Sequence, residues 1–219
     1  MTVAGSGRPV TRRELAAAVG ADEDGAMTAP TATALLVIDA QESFRHRAGE
    51  WAETANPQVI ANIDRLVEHA RSVGDLVVWI THADPGSGGV FDPERGFVRV
   101  ISDLSPAPDE LQLQKTTISA FASTDLEQQL RSAGVRQVVV CGIRTEQCCE
   151  TTTRAASDLG FAVDFVTDAT TTSAIAAGDT FGAVSGEDIL RRTESVLAAR
   201  GFASIRTTAQ VVAGASVGA

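Results

Sequence analysis

Residues 138–153 read VVVCGIRTEQCCETTT. The segment opens as a β-branched apolar run and breaks at Gly142. It then carries Thr145 and Glu146 into two adjacent cysteines, Cys148 and Cys149, at what reads as a helix start. A buried strand that ends in a glycine turn and leads into a helix is a building unit of a parallel α/β sheet. The thiols in that unit admit two readings. Amide N–H groups and the positive end of the helix dipole stabilise a thiolate at a helix start, which makes a nucleophile. Cysteine is also among the most buried residue types, so the two can equally be a packed structural pair.

The unit recurs on either side. Thr33–Ile38 (TALLVI) is a continuous apolar run, the pattern of a strand covered on both faces, and it ends at Asp39. Asn56–Val73 reads as a helix, with Asn56 as cap, Pro57 at the first position and Gly74 as stop. Its apolar residues Val59, Ile60, Ile63, Val67 and Ala70 recur at helical spacing, and Leu76–Ile80 is the next strand. Thr124 and Glu127 form a capping box ahead of Leu126, Leu130 and Ala133, and Gly134 stops that helix before Val138–Cys141. A helix over Cys148–Leu159 passes through Gly160 to a strand at Phe161–Val166. Ser185 and Asp188 open a last helix, which Gly201 stops before Phe202–Ile205. Helix, glycine and strand in repeated succession predict one α/β domain over residues 31–212 with right-handed crossovers. Residues 1–30 are expected to form a flexible or loosely docked leader, with a short helix over Thr11–Val19, and residues 213–219 a tail.

One span breaks the pattern. Thr81–Thr117 holds His82, Asp84, four prolines and four glycines, too long and turn-rich for a simple connection. Long loops in compact domains are commonly functional, and in a parallel sheet the site lies beyond the carboxyl ends of the strands. Asp39, His82, Lys115 and Cys148 all fall at such ends or beside them.

Composition narrows the function. A formal charge of −10 over 219 residues, with no basic stripe, argues against nucleic acid or an anionic membrane as partner. The three cysteines, Cys141, Cys148 and Cys149, are odd in number and clustered, which is no disulfide framework. With no secretory pattern at the N-terminus and no apolar run of roughly 18–20 residues, a cytoplasmic setting is expected. Lys115 is the only lysine among 18 basic residues. In so arginine-biased a chain, a retained lysine points to a need for a compact ammonium.

Cysteine, aspartate and lysine at one rim make chemical sense. Asp39 can take the thiol proton, and Lys115 between them offsets the carboxylate charge that would otherwise hold the thiol protonated. Backbone amides at the turn can receive a tetrahedral oxyanion.

Four segments in order, ALLVIDAQESF (34–44), KTTISAF (115–121), VVVCGIRTEQCCETTTRAASDLGF (138–161) and VTDAT (166–170), resemble the isochorismatase-like cysteine hydrolases. The resemblance implies a doubly wound, Rossmann-like α/β fold with a six-stranded parallel sheet. It implies Asp39 as general base, Lys115 as triad lysine and Cys148, four residues after Arg144 in the T-x-x-C step, as nucleophile, leaving Cys149 as a packed neighbour. It implies a cis Ile143–Arg144 peptide, with the amides of Arg144 and Cys148 as oxyanion donors. Gln41, Phe44, His82 and the Arg144 side chain are expected to contact substrate, with Trp51 and Phe91 as walls or lid. Nicotinamidases of the superfamily bind a metal through Asp and His in this region. His82 and Asp84 lack a second nearby His, so no metal and no cofactor are expected. Past Asp168 the chain reads TTTSAIAAGDTFGA, which departs from the family pattern. The implied activity is hydrolysis of a small-molecule amide, ureide, carbamoyl or lactam C–N bond through a thioester, by a homodimer or homotetramer. Vinyl-ether hydrolysis of the isochorismatase type, and a non-catalytic binding or redox module using Cys148 and Cys149, are the alternatives.

Overall fold

The structure, a computed structural model, describes residues 33–214. The whole leader, with its Thr11–Val19 helix, and the last five residues of the tail lie outside the described residues. Six strands form one parallel sheet: β1 (Thr33–Ile38), β2 (Leu76–His82), β3 (Leu111–Lys115), β4 (Gln137–Ile143), β5 (Ala162–Thr171) and β6 (Ser204–Arg206). Their order is β3-β2-β1-β4-β5-β6. The chain therefore winds outward from β1 to one edge, then from β4 to the other. Loops leaving β1 and β4 diverge at that reversal and leave a crevice beyond the strand ends.

The alternation of β1 shows why both faces are covered. Leu36 and Ile38 join Val78, Ile80, Val138 and Val140 in one core. It is closed by Leu126 and Leu130 of α4 (Leu126–Ser132), Ala156 of α5 (Glu150–Asp158) and Leu197 of α6 (Gly186–Ala199). Leu35 and Val37 face the other way with Val77, Trp79, Val139 and Cys141. That core is closed by Val59, Ile63, Leu66 and Val67 of α3 (Val59–Val73). Two short helices, α1 (Glu42–Arg45) and α2 (Ala48–Ala52), follow β1, and α7 (Thr208–Val212) follows β6.

Several expectations are corrected. Asn56 stands ahead of α3, which starts at Val59: its Oδ1 accepts from the Gln58 N–H at 3.1 Å, and its Nδ2 donates to the carbonyls of Asp168 and Thr170 at 2.5 and 3.1 Å, which ties the loop to β5. Thr124 and Glu127 form no capping box. The Thr124 hydroxyl accepts from the Leu126 N–H, while Glu127 pairs with Arg131 one turn on. The strand read at Phe161–Val166 runs on to Thr171, and the last strand lies at Ser204–Arg206. β3 was hidden inside the turn-rich span because it is an edge strand, LQLQK, with alternating rather than continuous apolar residues.

A capping box does exist at Thr207–Gln210. The Thr207 hydroxyl accepts from the Gln210 N–H at 3.2 Å, and the Gln210 carboxamide accepts from the Thr207 N–H at 2.8 Å. The next residue, Thr208, donates through its N–H and hydroxyl to Asp168 Oδ1. Thr207→Ala is expected to lower stability by about 1 kcal/mol, read as a fall in the urea midpoint with an unchanged slope.

Candidate active site

The register of the sheet brings the chemistry together. Ile38 pairs with Gly142 on one side and Ile80 on the other, and His82 pairs with Lys115. Asp39, one residue past β1, has a left-handed backbone (φ 51°) and donates its N–H to the Ile80 carbonyl at 2.7 Å. Aspartate is one of the few residue types that visits this conformation routinely. The turn buries its carboxylate entirely.

Lys115 is the last residue of β3 and also fully buried. The KTTISAF segment after it is held by side chains: Ser123 Oγ accepts from the N–H groups of Thr116 and Thr117, and Thr152 Oγ1 of α5 accepts from the Ala120 N–H. This presents the Thr117 carbonyl to Lys115 Nζ at 3.1 Å. Nζ also lies 2.8 Å from Asp39 Oδ2, 3.3 Å from Cys148 Sγ and 3.3 Å from His82 Nδ1. The Asp39 charge also acts on the Cys148 thiol and opposes its ionisation. Lys115 thus joins the carboxylate and the sulfur in one buried cluster.

Cys148 reaches it from a π-helical turn over Thr145–Cys149, which leads into α5. The regular helix therefore starts at Glu150, two residues later than the sequence pattern suggests. The turn is pinned by the Thr145 hydroxyl donating to Thr170 Oγ1 at 2.9 Å, and by the Arg144 carbonyl receiving the N–H groups of Gln147 and Cys149. Ile143–Arg144 is a cis peptide. Cys149 is fully buried in the core, whereas Cys148 retains 6% exposure.

Burial dominates the electrostatics. It raises the Asp39 carboxyl above its ordinary 3.8, with Lys115 pulling the other way. Burial, with the Asp39 charge adding to it, pushes the Cys148 thiol up to about 12. A carboxylate of raised basicity is the better acceptor for the thiol proton, and the raised thiol makes that base and the Lys115 charge necessary. Lys115 then faces whichever partner is negative. Burial, and next the Lys115 charge, lower the His82 pKa below 6.5, which makes its ring neutral at pH 7. A neutral ring facing an ammonium through Nδ1 carries its proton on Nε2.

The remaining expected residues divide. Gln41 is corrected: it is wholly buried and spent on the backbone rather than open to a substrate. Its Oε1 accepts from the His82 N–H at 2.6 Å, and its Nε2 donates to the His82 carbonyl and to Ser43 Oγ at 3.0 and 2.8 Å. It locks the ends of β1 and β2 together. Phe44 and Phe91 meet edge to face at 5.1 Å, and Phe91 meets His82 at 5.7 Å, so these rings form a wall running to the triad. An open cleft of about 240 Å³ adjoins the cis peptide. Phe44, Glu50, Trp51 and Thr54 line one side and Thr171–Ser173 the other, with Ile143 and Arg144 between. The Arg144 guanidinium lies over the Phe44 ring and bonds Ser173 Oγ at 2.5 Å and the Glu50 carboxylate. Glu50 and Ser173 carry no sequence signal, because their partner lies 94 and 29 residues away. Among the described residues no three His, Cys, Asp or Glu side chains converge as a metal-ligand set, and no helix is long and apolar enough to cross a membrane.

A buried Cys–Asp–Lys cluster at the switch point of a doubly wound parallel sheet marks a hydrolase with a Rossmann-like α/β fold. A family model described as the isochorismatase domain matches residues 33–182, and the chain belongs to that family. It is 34% identical over 151 residues to nicotinamidase 3 of Arabidopsis thaliana, covering 64% of this chain and 73% of the relative. It is 35% identical over 144 residues to streptothricin hydrolase of Streptomyces noursei, covering 66% and 51%. Among solved structures, a cysteine hydrolase from Pseudomonas syringae pv. phaseolicola superposes with a TM-score of 0.76 at 28% identity, covering 85% of this chain and 93% of that one.

Proposed function

We propose that this hydrolase cleaves a small-molecule C–N bond of the amide, ureide, carbamoyl or lactam type through a Cys148 thioester. The observation that carries the reading is the contact of one ammonium with both the Asp39 carboxylate and the Cys148 sulfur in a buried site. Relatives named for amide-bond chemistry, including nicotinamidase 3 and a ureidoacrylate amidohydrolase, support the same class.

The chemistry follows from this cluster. Asp39 takes the thiol proton as Sγ bonds to the carbonyl carbon, and the amides of Arg144 and Cys148 receive the oxyanion. On collapse the C–N bond breaks, and Asp39 returns the proton to the departing ammonia or amine. Water then attacks the thioester while Asp39 takes its proton. Expulsion of the sulfur, reprotonated from Asp39, frees the acid product. Lys115 stays an ammonium throughout and offsets whichever partner is anionic. Vinyl-ether hydrolysis needs no thiol, and a redox pair needs neither Asp39 nor Lys115.

An amide and ureide panel with ammonia detection tests the class: release of ammonia or amine that depends on Cys148 supports it. The role of Asp39 has its own readout. Asp39→Asn is expected to lower turnover by roughly 10²–10⁴-fold, the usual worth of a positioned acid–base group. Labelling of Cys148 by iodoacetamide should be suppressed in that variant, because the thiol has lost the base that takes its proton. In the unsubstituted protein, labelling and turnover should both fall as pH drops through the raised Asp39 pKa, above 3.8, since the protonated carboxyl can accept nothing. Full labelling and full turnover in a folded Asp39→Asn protein would remove Asp39 from the chemistry.

A further inference from the structure

The cleft beside the cis peptide holds an ion pair built for exchange. Arg144 is well enclosed, with its side chain 16% exposed, held by Ser173 and seated over Phe44. Its carboxylate partner is the opposite: Glu50 is 47% exposed and sits on α2, a five-residue helix with no buried residue. A second cation is already at hand, since Arg47 Nη1 stands 3.6 Å from the same Glu50 oxygen while its guanidinium lies over Phe91. Two guanidiniums thus share one carboxylate, which leaves Arg144 and Arg47 competing for it within a chain of charge −10. Exposed ion pairs contribute little, so Glu50 can be replaced on Arg144 at small cost and keep Arg47 as partner. A planar guanidinium already fixed by Ser173 and the Phe44 ring is preorganised for a carboxylate.

We propose that Glu50 is an exchangeable counter-ion holding the place on Arg144 that the substrate's own carboxylate takes, so that the preferred substrate is an anionic amide or ureide. This rests on the cysteine-hydrolase reading and specifies its substrate class. Arg144 is then a binding residue through its side chain as well as its amide. Glu50 acts as a specificity element, competing with anionic ligands and leaving neutral ones unaffected.

Protection of Cys148 from iodoacetamide, followed by mass spectrometry, tests this without knowledge of the natural substrate. The probes are succinamate, which carries a carboxylate, and succinamide, its uncharged counterpart. Succinamate is expected to protect the unsubstituted protein at several-fold lower concentration than succinamide. Glu50→Gln should lower the succinamate concentration needed several-fold further and leave succinamide unchanged. Arg144→Gln should erase the preference, and Arg144→Lys should restore part of it. Equal protection by the two probes in both the unsubstituted and Glu50→Gln proteins would overturn the inference. So would a Glu50→Gln effect of equal size on both. The underlying reading fails separately, if Cys148→Ala still turns over an amide.

Discussion

Cys148→Ala abolishes amide turnover, with an expected loss of at least about 10⁴-fold, while Cys149→Ala keeps turnover within a few-fold of the unsubstituted protein. The two sulfurs are adjacent in sequence and differ in everything that chemistry requires. Cys148 Sγ lies 3.3 Å from Lys115 Nζ, feels the Asp39 charge and retains some exposure. Cys149 is sealed in the core between the sheet and its helices, and burial raises its thiol well above the ordinary value with no general base in contact to relieve it. Its loss removes one sulfur from a packed site, a stability effect of about 1–2 kcal/mol by analogy with other small core truncations. Steady-state rates on an amide found active in the panel, with circular dichroism to verify folding, separate the two. Full activity in Cys148→Ala with a dead Cys149→Ala protein would reverse the assignment.

Gly142→Ala should be the most damaging small substitution in the sheet. Gly142 has φ 130°, and a Cβ there would stand 1.9 Å from the Ile38 carbonyl oxygen and 2.7 Å from the Ile38 carbonyl carbon and nitrogen. All three atoms are backbone, so no side-chain rotation relieves the overlap. Only separation of β1 from β4 does, which disrupts their pairing at Ile38 and Gly142. Strain at a disfavoured φ and overpacking each cost about 1–3 kcal/mol, so a total loss of about 3–5 kcal/mol is expected. The same separation moves Asp39 away from Cys148, since each lies just beyond one of these strands. A folded fraction of Gly142→Ala should therefore be inactive as well as scarce. Urea unfolding that leaves the midpoint unmoved would contradict this account of the switch point.

The architecture was legible where burial on both faces forces a continuous apolar run. TALLVI and VVVC could be read as central strands for that reason, and their ends located Asp39 and the turn toward Cys148. Lys115 stood out by its singularity, but the strand beneath it did not, because an edge strand needs only alternate apolar residues. Capping was the weakest inference. Asn56 and Thr124 each accept the N–H two residues on, yet neither completes the expected cap: Asn56 Nδ2 bonds across the fold, the Thr124 hydroxyl turns back to Ala120, and the capping box stands at Thr207.

By itself, then, the sequence determined the α/β class, the strands that meet at the crevice and the reactive side chains at their ends, since strand burial and turn composition are local properties. Only the tertiary structure decided what each of those residues touches. Gln41 became a brace because the His82 backbone lay within reach, 41 residues away, and Arg144 met Glu50 across 94 residues. The Asp39–Lys115–Cys148 cluster forms only when three strands lie in register. Contacts between residues so far apart depend on the packing of the whole sheet, which no local pattern encodes.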